Sequence, residues 1–290
     1  MTQFVFPDDQ SPTRLDQALA RWTGLGLRQV RAMIDQGAVT VDGRVRPKGF
    51  LIAPGRQVEV TGPEPSVSCQ VAVEICHREN GFAALVKPGG MHSARGLCEP
   101  SLESCLPGLG LEGWSLVNRL DVLTSGLVLA ASDQEGEQCY KARQDNGQTR
   151  KYYLALARGL VGPMVVRNRI MDDKRRVVRV TSQDDAPLRW TAVWPVCVVR
   201  DDSLVLVGIR KGRRHQIRAH LAWAGHALCG DPLYGAGEGG EFCLHHFRVE
   251  MPDFEAQSGP PWPWITDEHL AAVRQVLALA AGQWPAIEGE

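Results

Sequence analysis

The stretch Asn118-Arg119-Leu120-Asp121-Val122-Leu123-Thr124-Ser125-Gly126 sets a charged Arg-Leu-Asp ahead of a Thr-Ser-Gly turn and the apolar run Leu127-Val128-Leu129-Ala130-Ala131. A carboxylate at the mouth of a buried strand costs desolvation that a core has no reason to bear, so Asp121 marks a candidate site. Ser125 does not have the setting of a hydrolase nucleophile, because no Gly-x-Ser-x-Gly turn surrounds it and no histidine–acid pair is apparent. Thr124 and Ser125 are expected instead to hydrogen-bond backbone groups and set the loop. Metal chemistry has little support. His215 and His220 stand five apart, His245 and His246 are adjacent, and neither pair has a carboxylate or cysteine at ligand spacing. The eight cysteines occur singly, with no C-x-x-C pair, which fits reduced thiols; no structural metal is expected. His215 is expected to brace the loop around Asp121 with a hydrogen bond, and His220 to pack inside the fold.

The elements that must hold this loop can be read from periodicity. Strands are predicted at Phe82 to Val86, Leu127 to Ala131, Tyr152 to Ala157, Trp190 to Val199 and Leu204 to Ile209. Helices are predicted near Gln134 to Ala142, from His215 to Ala224, and at the end behind Thr266 with Asp267 and Glu268, where Leu270, Val273, Val276 and Leu277 recur at helical spacing. Along the strand in Arg150-Lys151-Tyr152-Tyr153-Leu154-Ala155, alternation puts Lys151, Tyr153 and Ala155 on one face and Tyr152 on the other, in the core. Upstream, Leu15, Ala18 and Leu19, then Val30, Met33 and Ile34, predict two short amphipathic helices split by Thr23-Gly24-Leu25-Gly26. A β segment Ala38 to Val41 then turns at Asp42-Gly43, and Pro54-Gly55 introduces Gln57 to Val60.

Composition allows a large domain with a smaller one. The chain has 290 residues, 44% of them hydrophobic, and no apolar run of 18 or more. The start, Met1-Thr2-Gln3-Phe4-Val5-Phe6-Pro7-Asp8-Asp9, lacks a basic and apolar leader pattern, so the cytoplasm is the expected location and no membrane is expected as partner. A net charge of −1 hides segregation. Residues 11–60 hold eight Arg/Lys against four Asp/Glu and residues 141–220 hold eighteen against seven, whereas residues 221–290 hold two against ten. Two basic blocks of this kind suit a polyanion partner, since each cation near a phosphate releases condensed counterions.

In the first block, Arg14-Leu15-Asp16, Arg28 through Ile34, Gln36 through Arg44 and Pro54-Gly55 resemble the S-four-like RNA-binding module of ribosomal proteins and RNA-modifying enzymes. The resemblance implies that Arg28, Arg31, Arg44 and Lys48 line an RNA-facing surface, gripping backbone without reading bases. The Gly62-Pro63-Glu64-Pro65-Ser66 stretch breaks all periodicity and is predicted to link the domains. The expected organisation is 11–61 for the RNA-binding module, 62–70 for the linker and 71–290 for the large domain.

In the large domain four segments stand in order: the Asp121 loop; Lys151-Tyr152-Tyr153; Gly212-Arg213-Arg214-His215-Gln216-Ile217-Arg218-Ala219-His220-Leu221; and Gly230-Asp231-Pro232-Leu233-Tyr234-Gly235. Together with Lys87-Pro88-Gly89-Gly90 they resemble the RluA-type family of pseudouridine synthases over most of residues 75 to 250. The resemblance implies an α+β fold with a mixed, mostly antiparallel sheet and flanking helices, and isomerisation of uridine in RNA without a cofactor. It makes Asp121 the catalytic carboxylate, acting as nucleophile at the anomeric carbon or as base toward the 2′-hydroxyl. It makes Tyr153 the residue under the base, for stacking and proton removal. It makes Arg213 the cation paired with the carboxylate. Arg119 and Lys151 are assigned to RNA binding, Arg119 as a side chain that contacts RNA or fills the gap left by an extruded base. His215 and Gln216 join Thr124 and Ser125 as loop supports. Asn118 stands where the family usually has histidine, and Val122-Leu123 where it has a more polar pair. Large-subunit ribosomal RNA is the expected partner, transfer RNA the second, and a monomer the expected state. The rival reading is a non-catalytic RNA-binding or ribosome-assembly protein. The joint presence of Asp121, Tyr153 and Arg213 favours the enzyme.

Overall fold

A computed structural model describes residues 2–7, 11–23, 27–35, 37–60, 73–94, 100–173, 176–235 and 240–285. The predicted linker at 62–70 and the Gly24-Leu25-Gly26 break lie outside the described residues, as does the side chain of Arg28. Contacts divide the chain into two compact units, Met1–Val71 with Ala94–Ser104, and Ala72–Ser93 with Cys105–Glu290.

The first unit comprises β1 (Thr2–Val5), β2 (Thr13–Arg14), α1 (Leu15–Thr23), α2 (Leu27–Asp35), β3 (Val39–Val41), β4 (Arg44–Val45), β5 (Leu51–Ile52) and β6 (Gln57–Val60). Its four-stranded sheet runs β1-β6-β3-β4, and β2 pairs with β5. Strand β1 lies ahead of residue 11, where Thr2 to Val5 make an edge strand against β6, a pairing that local pattern does not encode. Leu15, Ala18 and Leu19 on α1 and Val30 and Ile34 on α2 meet Val39, Val41 and Val58 in one core, the apolar faces expected from their spacing. Asp42 and Gly43 both take positive φ, 49° and 73°, the geometry of a tight hairpin turn.

The second unit is an α+β fold. Strands β7 (Glu74–Glu79) and β8 (Phe82–Lys87) precede a one-turn helix α3 (Leu102–Cys105), and β9 (Ser115–Leu116), β10 (Ser125–Ala131) and α4 (Gln134–Asp145) follow. Next come β11 (Arg150–Ala157), β12 (Met164–Val166), β13 (Asn168–Met171), β14 (Arg179–Asp184), β15 (Thr191–Val199) and β16 (Asp202–Ile209). Helix α5 (Gln216–Trp223), β17 (Leu244–Met251), β18 (Phe254–Gln257) and α6 (Asp267–Ala281) complete it. Ten strands form one mixed sheet along β12-β15-β16-β11-β17-β10-β8-β7, with β18 beside β17 and β9 beside β10. Every pairing is antiparallel except β10 with β17.

Strand β11 is paired along both edges, and each of its faces lies in a core cluster. Tyr153, Ala155 and Ala157 join one core cluster with Ile217 and Leu221 of α5, and Tyr152 and Leu154 join the opposite one with Val273 and Ala280 of α6. That division follows the alternation of the sequence. Thr266 caps α6, its hydroxyl accepting from His269 N–H. No helix among the described residues is long and apolar enough to cross a membrane.

Candidate active site

The loop from Asn118 to Thr124 leaves β9 and enters β10, and it is pinned by main-chain bonds at nearly every step. The Asn118 amide oxygen accepts from Leu129 N–H at 2.6 Å. Leu120 N–H donates to Ser93 Oγ at 3.0 Å, and that hydroxyl lies 3.1 Å from the Leu120 carbonyl. The Val122 carbonyl accepts from Gly90 N–H at 2.8 Å and from the buried Lys87 ammonium at 3.1 Å; Lys87 also reaches the carbonyls of Pro88 and Met91, each at 2.8 Å. Three carbonyls thus surround one ammonium, the pattern of a loop anchor. Burial pushes the Lys87 pKa down to about 7 against the opposing field of Asp121. Thr124 N–H closes the turn onto the Asp121 carbonyl at 3.1 Å. Gly126, at φ +106°, ends the loop with its Cα so close to β17 that a Cβ would sit 2.3 Å from the His246 carbonyl oxygen. Only glycine fits there.

Asp121 is aimed at the start of α5. Arg218 Nη1 donates to its Oδ2 at 3.1 Å. The same guanidinium makes a two-pronged pair with Asp231, Nε and Nη2 each 2.8 Å from a carboxylate oxygen, and its Cζ lies over the rings of Tyr234 and Phe242 at 5.3 and 5.2 Å. Burial works against the charges of Arg218 and Asp231. The bonds and fields of the two acids nevertheless raise the arginine pKa, and Arg218 with the N–H groups of Leu233 and Tyr234 keeps Asp231 below the ordinary carboxylate range. His215 takes a left-handed conformation at φ 57° and stands at the helix start with Nε2 3.7 Å from Asp121 Oδ2. Its Nδ1 is 2.9 Å from Tyr234 Oη, which itself accepts Val178 N–H at 3.0 Å. Because Val178 can only donate, the phenol hydrogen is left for Nδ1, and the Nε2–H tautomer faces Asp121. Burial lowers the His215 pKa against the field of Asp121, which favours this neutral form.

The expected partner of Asp121, Arg213, is elsewhere. Its Nη2 pairs with Asp185 Oδ2 at 3.1 Å. Arg213 lies in the loop before α5, whereas Arg218 lies within the helix and is carried inward beside Ile217 and Leu221. Gln216, expected as a loop support, instead holds Arg213 N–H with Oε1 at 2.9 Å and the Arg189 carbonyl with Nε2 at 2.8 Å. Ser125 does not bond backbone as expected: its hydroxyl meets His245 Nδ1 at 2.9 Å, while His245 Nε2 holds the Ser258 carbonyl at 2.9 Å. His220 is buried, bonded to Thr191 Oγ1 and the Asn168 carbonyl at 2.8 Å each.

Tyr153 is buried and stacks on His246, with ring centroids 4.5 Å apart and planes 14° from parallel. Beneath it β17 carries one extra residue: Tyr152 pairs with Arg248 but Tyr153 with His246, so Phe247 bulges. Burial first, then Tyr140 and Asp121, raises the Tyr153 pKa, so the resting side chain is the neutral phenol. The His246 pKa is pushed down to about 3 by burial, and His246 Nδ1–H therefore donates to the Leu127 carbonyl at 2.5 Å. Lys151, expected on an RNA-facing surface, is only 4% exposed, because β11 is an interior strand; burial brings its pKa down to about 8. Arg119 is exposed beside Asp121. In the first unit Arg31 pairs with the fully buried Asp16 at 2.7 Å and Lys48 with Asp35 at 2.9 Å, each side chain still near half exposed, and Arg44 is exposed.

Arg218, Asp231, Lys87 and His246 are therefore site residues that sequence reasoning left without a role. A signal existed for two of them: Arg218 interrupts the apolar Ile217, Ala219 and Leu221, and Asp231 sits between Gly230 and Gly235, which the fold needs for close backbone approach. Among the described residues no cluster of three or more His, Cys, Asp or Glu side chains could hold a metal ion.

A family model described as RNA pseudouridylate synthase matches residues 81–223, and one described as S4 domain matches residues 13–58. An "Uncharacterized RNA pseudouridine synthase" of Chloroflexus aurantiacus is 31% identical over 251 residues, covering 80% of this chain and 78% of that protein. The "Uncharacterized RNA pseudouridine synthase YlyB" of Bacillus subtilis is 29% identical over 245 residues, covering 79% and 81%. In fold, human RNA Pseudouridylate Synthase Domain Containing 1 is similar at a TM-score of 0.58 and 20% identity, over 74% of this chain and 97% of that one.

Proposed function

The chain belongs to the RNA pseudouridine synthase family, enzymes that isomerise uridine in RNA, and from that premise we propose that Asp121 acts on the target ribose while Arg218 holds it in place. The observation that carries this is the chain Asp121–Arg218–Asp231: a partly exposed carboxylate tied at 3.1 Å to a guanidinium that a second, fully buried carboxylate clamps in a fork. Such a guanidinium is fixed in position, and its remaining N–H orients the reactive carboxylate. The carboxylate either adds to the anomeric carbon or removes the 2′-hydroxyl proton. Both routes use a carboxylate oxygen that Arg218 orients.

Tyr153 supplies the face on which the base turns. As a neutral phenol it takes the proton from ring carbon 5 only while passing its own onward, and Asp121, freed once the new bond has formed, is the acceptor within its field. Arg119 fills the space left by the extruded base. The reaction needs no cofactor, since the bond to nitrogen and the bond to carbon are exchanged within one nucleotide. We assign RNA gripping to the module at 11–61 and chemistry to the domain at 71–290. Large-subunit ribosomal RNA is the favoured substrate and transfer RNA the second, because the S-four-like module is shared with ribosomal proteins; the enzyme works as a cytoplasmic monomer.

RNA carrying tritium on uracil carbon 5 tests the reading. Wild-type protein releases the label and Asp121→Asn does not; absence of release from every cellular RNA pool would overturn the assignment. Mapping pseudouridines in cells lacking the protein identifies the target.

A further inference from the structure

Arg213 is left without contact to Asp121, and its surroundings give it other work. One buried amide, Gln216, fixes two backbones at once: it accepts from Arg213 N–H at 2.9 Å and donates to the Arg189 carbonyl at 2.8 Å, with Thr191 Oγ1 as a further acceptor at 3.1 Å. Lys211 N–H adds a bond to the Leu188 carbonyl at 2.9 Å. Two arginines from distant segments are thereby seated side by side. Around them Lys211 is paired with Asp145 and Arg213 with Asp185, which leaves three cations facing two carboxylates. Arg189 carries the surplus: it is half-buried, and its guanidinium has no hydrogen-bond or ion-pair partner among the described residues. Arg213 also keeps a buried Nε without a partner. Burial and the neighbouring charge of Arg213 lower the Arg189 pKa against the opposing fields of Asp185 and Asp145.

We propose that Arg189 and Arg213 form a seat for one RNA backbone phosphate at the rim of the catalytic site, with Asp185 occupying Arg213 until RNA arrives. Guanidinium forks match the two free oxygens of a phosphodiester, which a single ammonium would not. The seat lies at the correct range: Arg213 is two residues from His215, at most about 7 Å along the chain, and His215 Nε2 is 3.7 Å from Asp121. A strand with its ribose at Asp121 passes a flanking phosphate through that interval. The proposal rests on RNA being the substrate.

The test is equilibrium binding of a fluorescent RNA stem-loop with a uridine loop, measured across salt concentrations in the Asp121→Asn background so that nothing turns over. Arg189→Gln and Arg213→Gln are each expected to weaken binding several-fold and to make the plot of log affinity against log salt shallower by about 0.7 to 0.9, one phosphate contact. Arg213→Lys keeps the slope, which separates charge from folding damage. Asp185→Asn has the opposite sign and tightens binding, because the amide still accepts Ala186 N–H while Arg213 is released. Unchanged slopes in both glutamine variants, or weaker binding in Asp185→Asn, would show a structural ion pair only and overturn the proposal. The readouts stay separable: slopes report the seat even if wild-type protein releases no tritium, and tritium release with unchanged slopes removes the seat while leaving the enzyme.

Discussion

At the scale of single residues, Arg218 and Arg213 differ in what they touch, and their variants should differ in kind. Asp231→Asn removes the charge that clamps Arg218 while keeping an acceptor for Leu233 N–H, so single-turnover tritium release should fall by about 10²-fold with RNA affinity little changed. The seat variants at Arg189 and Arg213 should instead shift affinity and spare the chemical step. The histidines set acid tolerance. Burial holds His245 at about 4 and His246 at about 3, against about 6.5 in an unfolded chain. Between those values the unfolded chain binds protons that the folded one refuses, so stability is full above about 6.5 and declines as pH falls toward 4. Thermal unfolding across that range checks this. His245→Gln, which can still accept from Ser125 and donate to the Ser258 carbonyl, should flatten the decline. Asp121 and Tyr153 were legible because each stands in a distinctive string. The arginine was not, because one string holds Arg213, Arg214 and Arg218, and only the helix starting at Gln216 decides which of them faces inward.

At the scale of elements, the loop between β9 and β10 is held by main-chain atoms more than by side chains. Val122 contributes its carbonyl to Lys87 and Gly90, so the apolar Val122 leaves that brace intact. Asn118 is a different case: its amide takes the place of a ladder partner for Leu129 N–H. Asn118→Ala should cost about 1–3 kcal/mol, the penalty for an orphaned buried donor, measurable by urea denaturation, whereas Val122→Thr should change little. Strands β8, β10, β11, β15 and β16 were readable from apolar runs and alternation. Strand β17 was not, since His245, His246 and Arg248 read as polar although β17 lies inside the sheet. The β13–β14 hairpin was equally hidden, because its partner strands carry no apolar alternation and its position depends on Tyr234 and Arg214 reaching it from elsewhere.

At the scale of the whole molecule, each unit has its own core. Leu19→Ala should lower the midpoint of one unfolding transition, followed through Trp22, by the equivalent of about 2–5 kcal/mol, and leave a second transition of the other unit in place. A single shared transition would show that the units are coupled. The division of cations and acids along the chain was plain in the sequence, but which cations are neutralised was not, since Asp16 reaches Arg31, and Asp185 reaches Arg213, only through the fold. The parallel contact of β10 with β17 bears on synthesis as well as on shape. Gly126 can settle only when His246 is in place, and Ser125 finds His245 120 positions further on. A ribosome must therefore deliver most of the chain before the reactive loop acquires its final form, and so long-range a closure is slow relative to local folding. The core of the first unit can therefore close while the reactive loop still waits for residues 245 and 246.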